Sequence, residues 1–390
     1  MSKAKQLRIF LTSSQLSTAF YSIYASKSAN KELYFDVLLI DCAPKKKALV
    51  KNILERAAIF HSWDFVLDMS SPINDETSTR PSIKKRFIRK VKTFPIVENI
   101  YAYLLSFYNK KINAVNEAAF CSRFPQFNQF STVSLHLLTQ TLVNPVLFQL
   151  YPNAEIHFFE HGTGDYFYVL EKNRKLDCFH CFFAQSFQQY LKNQKLEIKT
   201  HEYLSKADFE QAFSLPENDL LYSELVNILE SDSNEIQLIL LDAFEIYHPP
   251  IYFWTDFLER ILREITQPDK MFFVLKPHPN QSAETIALSV QYFIDRNLSF
   301  VLLNRPELSQ LSVETFFVMN QHRIKAVYST FSSALFYLSH YYIDRTEFYM
   351  LYDFASGYIS SAPNQYKEVF KGLKPLIDQV FDANKKIKRL

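Results

Sequence analysis

Two stretches in the second half of the chain decide the fold: Met271-Phe-Phe-Val-Leu-Lys-Pro-His-Pro279 and Lys325-Ala-Val-Tyr-Ser-Thr-Phe-Ser-Ser-Ala-Leu-Phe-Tyr-Leu-Ser-His-Tyr-Tyr342. Each opens on a short apolar run, crosses a polar loop and leads into a segment long enough for a helix. Short uninterrupted apolar runs suit strands covered on both faces. Working outward, Ile236–Leu241, Phe300–Leu303 and Glu347–Tyr352 read as further strands. Tyr252–Ile265, Ala283–Arg296, Ser312–Asn320 and Ser332–Tyr342 read as the helices between them. Strand and helix in strict alternation imply right-handed crossovers and a parallel sheet, so this half is expected to be one doubly wound α/β domain.

The first half repeats the theme less clearly. Leu7–Leu11, Leu33–Cys42, Asp64–Leu67 and Glu155–Phe159 are candidate strands, and Ile96–Tyr108 and Val133–Leu150 are expected to be helical. The polar stretch before Ile236, with Pro216 and the run Glu230-Ser-Asp-Ser-Asn-Glu235, is the best linker in the chain. The expected organisation is therefore an N-terminal α/β domain over 1–215, a linker over 216–235 and a second domain over 236–363. A C-terminal helix over 364–390 is expected to fold back onto the first domain.

Composition narrows the function. In 390 residues, 43 Lys and Arg against 41 Asp and Glu give a net charge of +2, which argues against nucleic-acid binding through bulk charge. No apolar run reaches the roughly 20 residues that cross a bilayer, and the N-terminal stretch lacks the pattern of a signal peptide. The expected location is cytoplasmic. The four cysteines are too few for a disulfide framework. Cys178-Phe-His-Cys181 has no second such pair nearby to complete a tetrahedral metal site, so these thiols are expected to be buried and apolar. Only four glycines occur, at 162, 164, 357 and 372, which excludes the glycine-rich nucleotide loops; no aspartates stand two apart to hold a metal on a diphosphate.

Three loops at strand ends could carry chemistry, because ligands of open α/β sheets bind beyond the C-terminal ends of the strands. Glu160-His161-Gly162-Thr163-Gly164 follows the strand Glu155–Phe159 and holds two of the four glycines. Lys276-Pro277-His278-Pro279 aims an imidazole between two prolines, beside a cation, which suits an anionic oxygen. Ser329-Thr330-Phe331-Ser332-Ser333 runs into a helix start, where hydroxyls and unpaired amides make a phosphate cradle. A fourth loop, after Leu241, carries Asp242 and Glu245, either of which could be a general base.

Acid-x-Gly, then His-Pro, then a serine-rich helix start, each after a strand, resembles the bacterial sialyltransferases of the two-domain GT-B type, including polysialyltransferases and lipooligosaccharide sialyltransferases. The resemblance implies two Rossmann-like domains with a deep interdomain cleft. It also implies metal-independent, inverting transfer of sialic acid from CMP-sialic acid to a hydroxyl of a cell-surface glycan, lipooligosaccharide or capsule. By the same resemblance His278 contacts the donor phosphate and assists its departure, with Lys276 and Pro279 beside it. Ser332 and Ser333, with Ser329 and Thr330, bind that phosphate, and Gly162 and Thr163 belong to the substrate loop. The base is Glu160 in one branch of the family and an acid corresponding to Glu245 in the other. His161 stands where a second acid is usual. His161-Gly162-Thr163 followed by the later motifs also resembles CDP-glycerol glycerophosphotransferases of teichoic-acid and capsule assembly, and a non-catalytic glycan- or nucleotide-binding protein is a further alternative. No residue is assigned to a metal and no cofactor is expected; the partners are the nucleotide-sugar donor and the glycan acceptor. The basic segment 80–92, apolar at Ile83, Phe87 and Val91, and the tail 385–389 are expected to offer peripheral contact with an anionic membrane on its inner face.

Overall fold

The computed structural model describes the chain apart from residues 1–4, 29, 42–53, 56–57, 70–126, 128–129, 140, 142, 172–175, 203, 215–234, 243, 279–280 and 305–310. The chain divides into two compact units, Met1–His161 with Arg174–His180, and Gly162–Asn173 with Cys181–Leu390.

In the first unit six strands are described: β1 (Gln6–Thr12), β2 (Tyr34–Ile40), β3 (Phe65–Asp68), β4 (Val133–Leu138), β5 (Glu155–Phe159) and β6 (Cys178–His180). They run parallel in the order β3-β2-β1-β4-β5-β6. Helix α1 (Gln15–Ser26) starts at Ser14, whose side chain accepts from the Ser17 amide, and α2 (Asn144–Leu150) opens with Pro145 in its first turn. The expected helix over Val133–Leu150 is thus a strand followed by a short helix. Pro145 explains the difference, since it fits a first turn but would break the interior of a helix begun at 133. The expected helix over Ile96–Tyr108 and the basic segment 80–92 lie outside the described residues.

One buried charge network ties two neighbouring strands of this sheet, β1 and β2, together. Arg8 of β1 donates from Nε and Nη2 to the two oxygens of Asp36 on β2, both at 2.6 Å, and His61 Nε2 lies 2.9 Å from Asp36 Oδ2. The guanidinium also sits 3.9 Å over the Tyr34 ring. Burial pushes the Asp36 carboxyl up, but the hydrogen bonds from His61 and Arg8 outweigh it and hold it below its ordinary range.

The second unit begins with α3 (Gly164–Glu171), α4 (Ala184–Asn193), the two-residue strand β7 (Thr200–His201) and α5 (Lys206–Phe213). Its sheet follows: β8 (Ile236–Leu241), α6 (Phe253–Glu264), β9 (Phe272–Pro277), α7 (Ala283–Asp295) and β10 (Ser299–Leu302). Then come α8 (Val313–Asn320), β11 (Ile324–Ser329), α9 (Ser333–Tyr342) and β12 (Glu347–Met350). The chain closes with α10 (Tyr352–Ser356), α11 (Asn364–Leu376) and β13 (Lys388–Arg389). The strand order is β10-β9-β8-β11-β12-β13, all parallel. Serine caps start three of the helices: Ser205 Oγ accepts from the Asp208 amide, Ser282 Oγ from the Thr285 amide and Ser312 Oγ from the Thr315 amide. The molecule is therefore α/β, with two parallel sheets and alternating helices, as the strand and helix pattern implied.

The grouping of residues follows contacts more than chain order. The segments α3, α4 and α5, which fall within the expected 1–215 domain, group with the second unit, and most of the expected linker lies outside the described residues. The C-terminal helix shows why. Phe381, in the π-helical turn that continues α11, meets Tyr166 at 4.8 Å and Phe183 at 5.4 Å between ring centroids. A Cβ at Gly372 of α11 would lie 2.6 Å from Cε2 of Phe167 on α3, so only glycine lets these two helices approach so closely. None of the four glycines has a positive φ; left-handed backbone is taken instead by residues such as His248 and Gln267.

Candidate functional site

The second sheet changes direction of winding at β8, with β9 added on one side and β11 on the other. The loops leaving the C-terminal ends of such central strands surround the usual ligand position of the fold. Asp242, the first residue after β8, is buried and organises the loop after β11. Its Oδ2 accepts from Ser329 Oγ and the Thr330 amide, both at 2.8 Å, from the Phe331 amide at 3.3 Å, and from the Thr330 hydroxyl. Burial pushes this carboxyl up, and the four donors offset part of that cost. Ser329 Oγ in turn accepts from the Ser332 amide at 2.9 Å. Ser329 and Thr330 therefore serve the loop's own architecture, which the sequence did not reveal.

What the loop presents is the start of α9. Ser332 occupies the cap position, yet its hydroxyl makes no capping hydrogen bond to the helix. Ser333 Oγ accepts from the Thr163 amide at 2.9 Å and lies 3.2 Å from Thr163 Oγ1. Two motifs 170 residues apart in sequence are thereby joined. Gly162 contributes by closeness: a Cβ there would stand 3.5 Å from Ser333 Oγ, an ordinary contact. The Gly162 amide donates to Asp165 Oδ2 at 3.1 Å, which fixes the turn leading into α3.

On the other side of β8, the His278 amide donates to the Leu241 carbonyl at 2.8 Å, so the half-buried imidazole is carried on backbone pinned beside Asp242. The His278 carbonyl accepts from the Gln281 amide at 2.9 Å, closing the turn into α7. Pro279 lies outside the described residues. Lys276 is buried, and burial brings its ammonium down to about 8, opposed by the charge of buried Glu314. Glu314 is itself pushed up by burial. Glu245 has a structural partner: both its oxygens accept from the Ser282 amide at 3.1 Å, and Oε1 accepts from Ser282 Oγ at 3.0 Å. It braces the start of α7. In the first unit, Glu160 is buried at the end of β5, its amide donating to the His180 carbonyl at 2.9 Å, and His161 beside it is half-buried.

The basic tail is occupied as well. Lys388 pairs with Glu347 at 2.7 Å, and Arg389 pairs with Asp378 at 2.7 Å. Ile387 between these segments is buried. Among the described residues, no helix is long and apolar enough to cross a membrane.

No protein-family model matches the chain, and no curated protein matches it. Solved structures do. A UDP-N-acetylglucosamine 2-epimerase from Listeria monocytogenes is 10% identical over 98% of this chain and 90% of its own, with a TM-score of 0.49. A trehalose-phosphate synthase from Burkholderia vietnamiensis is 10% identical over 98% and 94%, with a TM-score of 0.46. A glycosyltransferase from Rickettsia africae is 10% identical over 99% and 98%, with a TM-score of 0.42. These are likenesses of chain trace alone.

Proposed function

We propose that the protein is a glycosyltransferase acting on a nucleotide-activated sugar, and that the sugar is sialic acid delivered from CMP-sialic acid to a hydroxyl of a surface glycan. The observation that carries this reading is the arrangement around Asp242. The His278 backbone is bonded to the residue before Asp242, and Asp242 itself holds the loop that opens α9. An imidazole and a helix start whose serine hydroxyl does not cap the helix thus flank one strand end, which suits a single phosphate.

Transfer expels CMP from the anomeric carbon through a cation-like state, so the site has two tasks. His278 and the amides at the start of α9 neutralise the departing phosphate, with the Ser332 hydroxyl donating to it. Lys276, whose ammonium burial brings down to about 8, adds positive potential. A carboxylate deprotonates the acceptor hydroxyl, and a single displacement of this kind inverts the anomeric carbon. Ser282 holds both oxygens of Glu245, so the account assigns the base to Glu160, with His161 next to it. No metal is invoked, because a monophosphate diester leaves less charge to clamp than a diphosphate.

The test is release of CMP from CMP-sialic acid with lactose-type and oligosialic acceptors. Glu160→Gln is expected to lose about 100- to 10,000-fold in turnover, as for removal of a general base, while Glu245→Gln stays within a few fold. Equal mild losses in both variants would remove the assignment of the base. Turnover of CDP-glycerol in place of the sialyl donor would move the protein to the glycerophosphotransferases.

A further inference from the structure

In the first unit, three metal-ligating side chains converge on neighbouring strands: His157 of β5, and Cys178 and His180 of β6. One ligand atom from each lies within 4.8 Å of the others. Register explains the meeting. His157 is paired with Cys178 across the sheet, and His180 stands two residues further along the same strand, hence on the same face. The two imidazoles touch, His157 Nδ1 lying 3.0 Å from His180 Nε2.

We propose that His157, Cys178 and His180 form a binding site for a thiophilic divalent ion of the zinc class, using none of the side chains assigned to glycosyl transfer. Tetrahedral zinc, with bonds of about 2.0 Å to nitrogen and about 2.3 Å to sulfur, needs its nitrogens about 3.3 Å apart and each nitrogen about 3.5 Å from the sulfur. The 3.0 Å between the ring nitrogens is short of that by a few tenths of an ångström, and the three ligand atoms together span up to 4.8 Å, so closing on an ion takes rotation of Cys178 towards the rings as well as small rotations of the two imidazoles. Cys178 and His180 are buried at 4% and 5% exposure, and half-buried His157 lies beside the exposed Glu155.

The surroundings fit an ion. Glu155 Oε1 lies 3.2 Å from His157 Nε2, on the ring edge away from His180, where a carboxylate fixes the tautomer that frees Nδ1 for a metal. Buried His136 of β4 stacks on His157 at 4.7 Å, and Phe159 stacks on His180 at 4.3 Å, so both rings are held in place. On binding, the Cys178 thiol gives its proton to solvent and the thiolate becomes the third ligand. The ion would staple β5 to β6 just below the point where the His180 carbonyl receives the Glu160 amide.

Chelator-treated protein titrated with Co2+ is expected to bind one equivalent in the first unit. Binding should produce a thiolate-to-cobalt charge-transfer band and tetrahedral visible bands that Zn2+ abolishes. Cys178→Ser should remove the charge-transfer band and Cys181→Ser should leave it. Glu155→Gln should weaken binding about 10- to 100-fold, as loss of a ligand-orienting carboxylate does. A wild-type protein without the band, or a band that survives Cys178→Ser, overturns the proposal. Should Cys178→Ser fail to fold, alkylation of the wild-type protein decides: Zn2+ should protect Cys178 selectively, and equal labelling with and without Zn2+ contradicts the site.

Discussion

Asp36 and Asp242 are both buried aspartates, and their surroundings drive them in opposite directions. Asp36 faces a guanidinium and an imidazole and is held low; Asp242 faces only hydroxyls and amides and is pushed up. The first contributes stability, while the second accepts a cost to hold a loop. Replacing Asp36 by Asn strands the Arg8 charge in the interior and is expected to cost about 3 to 5 kcal/mol in denaturant unfolding at neutral pH. The sign of the pH effect follows from the lowered carboxyl. Its stabilisation is complete above the ordinary value of 3.8 and is lost as pH falls through the lower value of the folded state. The gap between wild type and D36N should therefore hold at pH 7 and narrow below about pH 4; a gap independent of pH would show that Asp36 is not the titrating partner.

At the scale of elements, the second sheet was legible because its strands are short apolar runs and its helices begin at Ser282, Ser312 and Ser332, each preceded by a loop. The first was less so. Val133–Leu138 mixes Ser134 and His136 with leucines, and β6 is only three residues long, too short for any periodic signal. The three candidate loops were found from strand ends alone, but the tying of Ser329 and Thr330 to Asp242, and of Glu245 to Ser282, depends on side-chain contacts 37 to 89 residues apart that no local pattern announces. The His157, Cys178 and His180 cluster was missed for a related reason. A search for paired Cys-x-x-Cys spacing overlooks ligands supplied by His157 on one strand and Cys178-x-His180 on the next, at the period of two that a strand imposes. The meeting of α11 with α3 offers a prediction at this scale. Gly372→Ala improves helix propensity by about 1 kcal/mol but drives a methyl into the Phe167 ring, so a net loss of about 1 to 2 kcal/mol is expected. Thermal unfolding of G372A alone and together with Phe167→Leu checks it: the second change should restore most of the loss, and an unchanged or raised melting temperature in G372A would show that the contact carries no strain.

For the whole molecule, recognition of the donor phosphate rests on one strand end of the second unit, while the proposed base, Glu160, belongs to the first. The composition, with a net charge of +2 and no glycine-rich loop, leaves recognition of a phosphate to local devices, and those devices surround β8. The most direct test is CMP release from CMP-sialic acid, measured for the wild type and for His278→Ala with folding confirmed by its unfolding curve. The account predicts turnover in the wild type and a loss of about 100- to 10,000-fold in the variant, the range for a removed acid or charge-stabilising group. A wild type that does not turn over the donor with any sialyl acceptor, or a folded His278→Ala protein that is fully active, would contradict it.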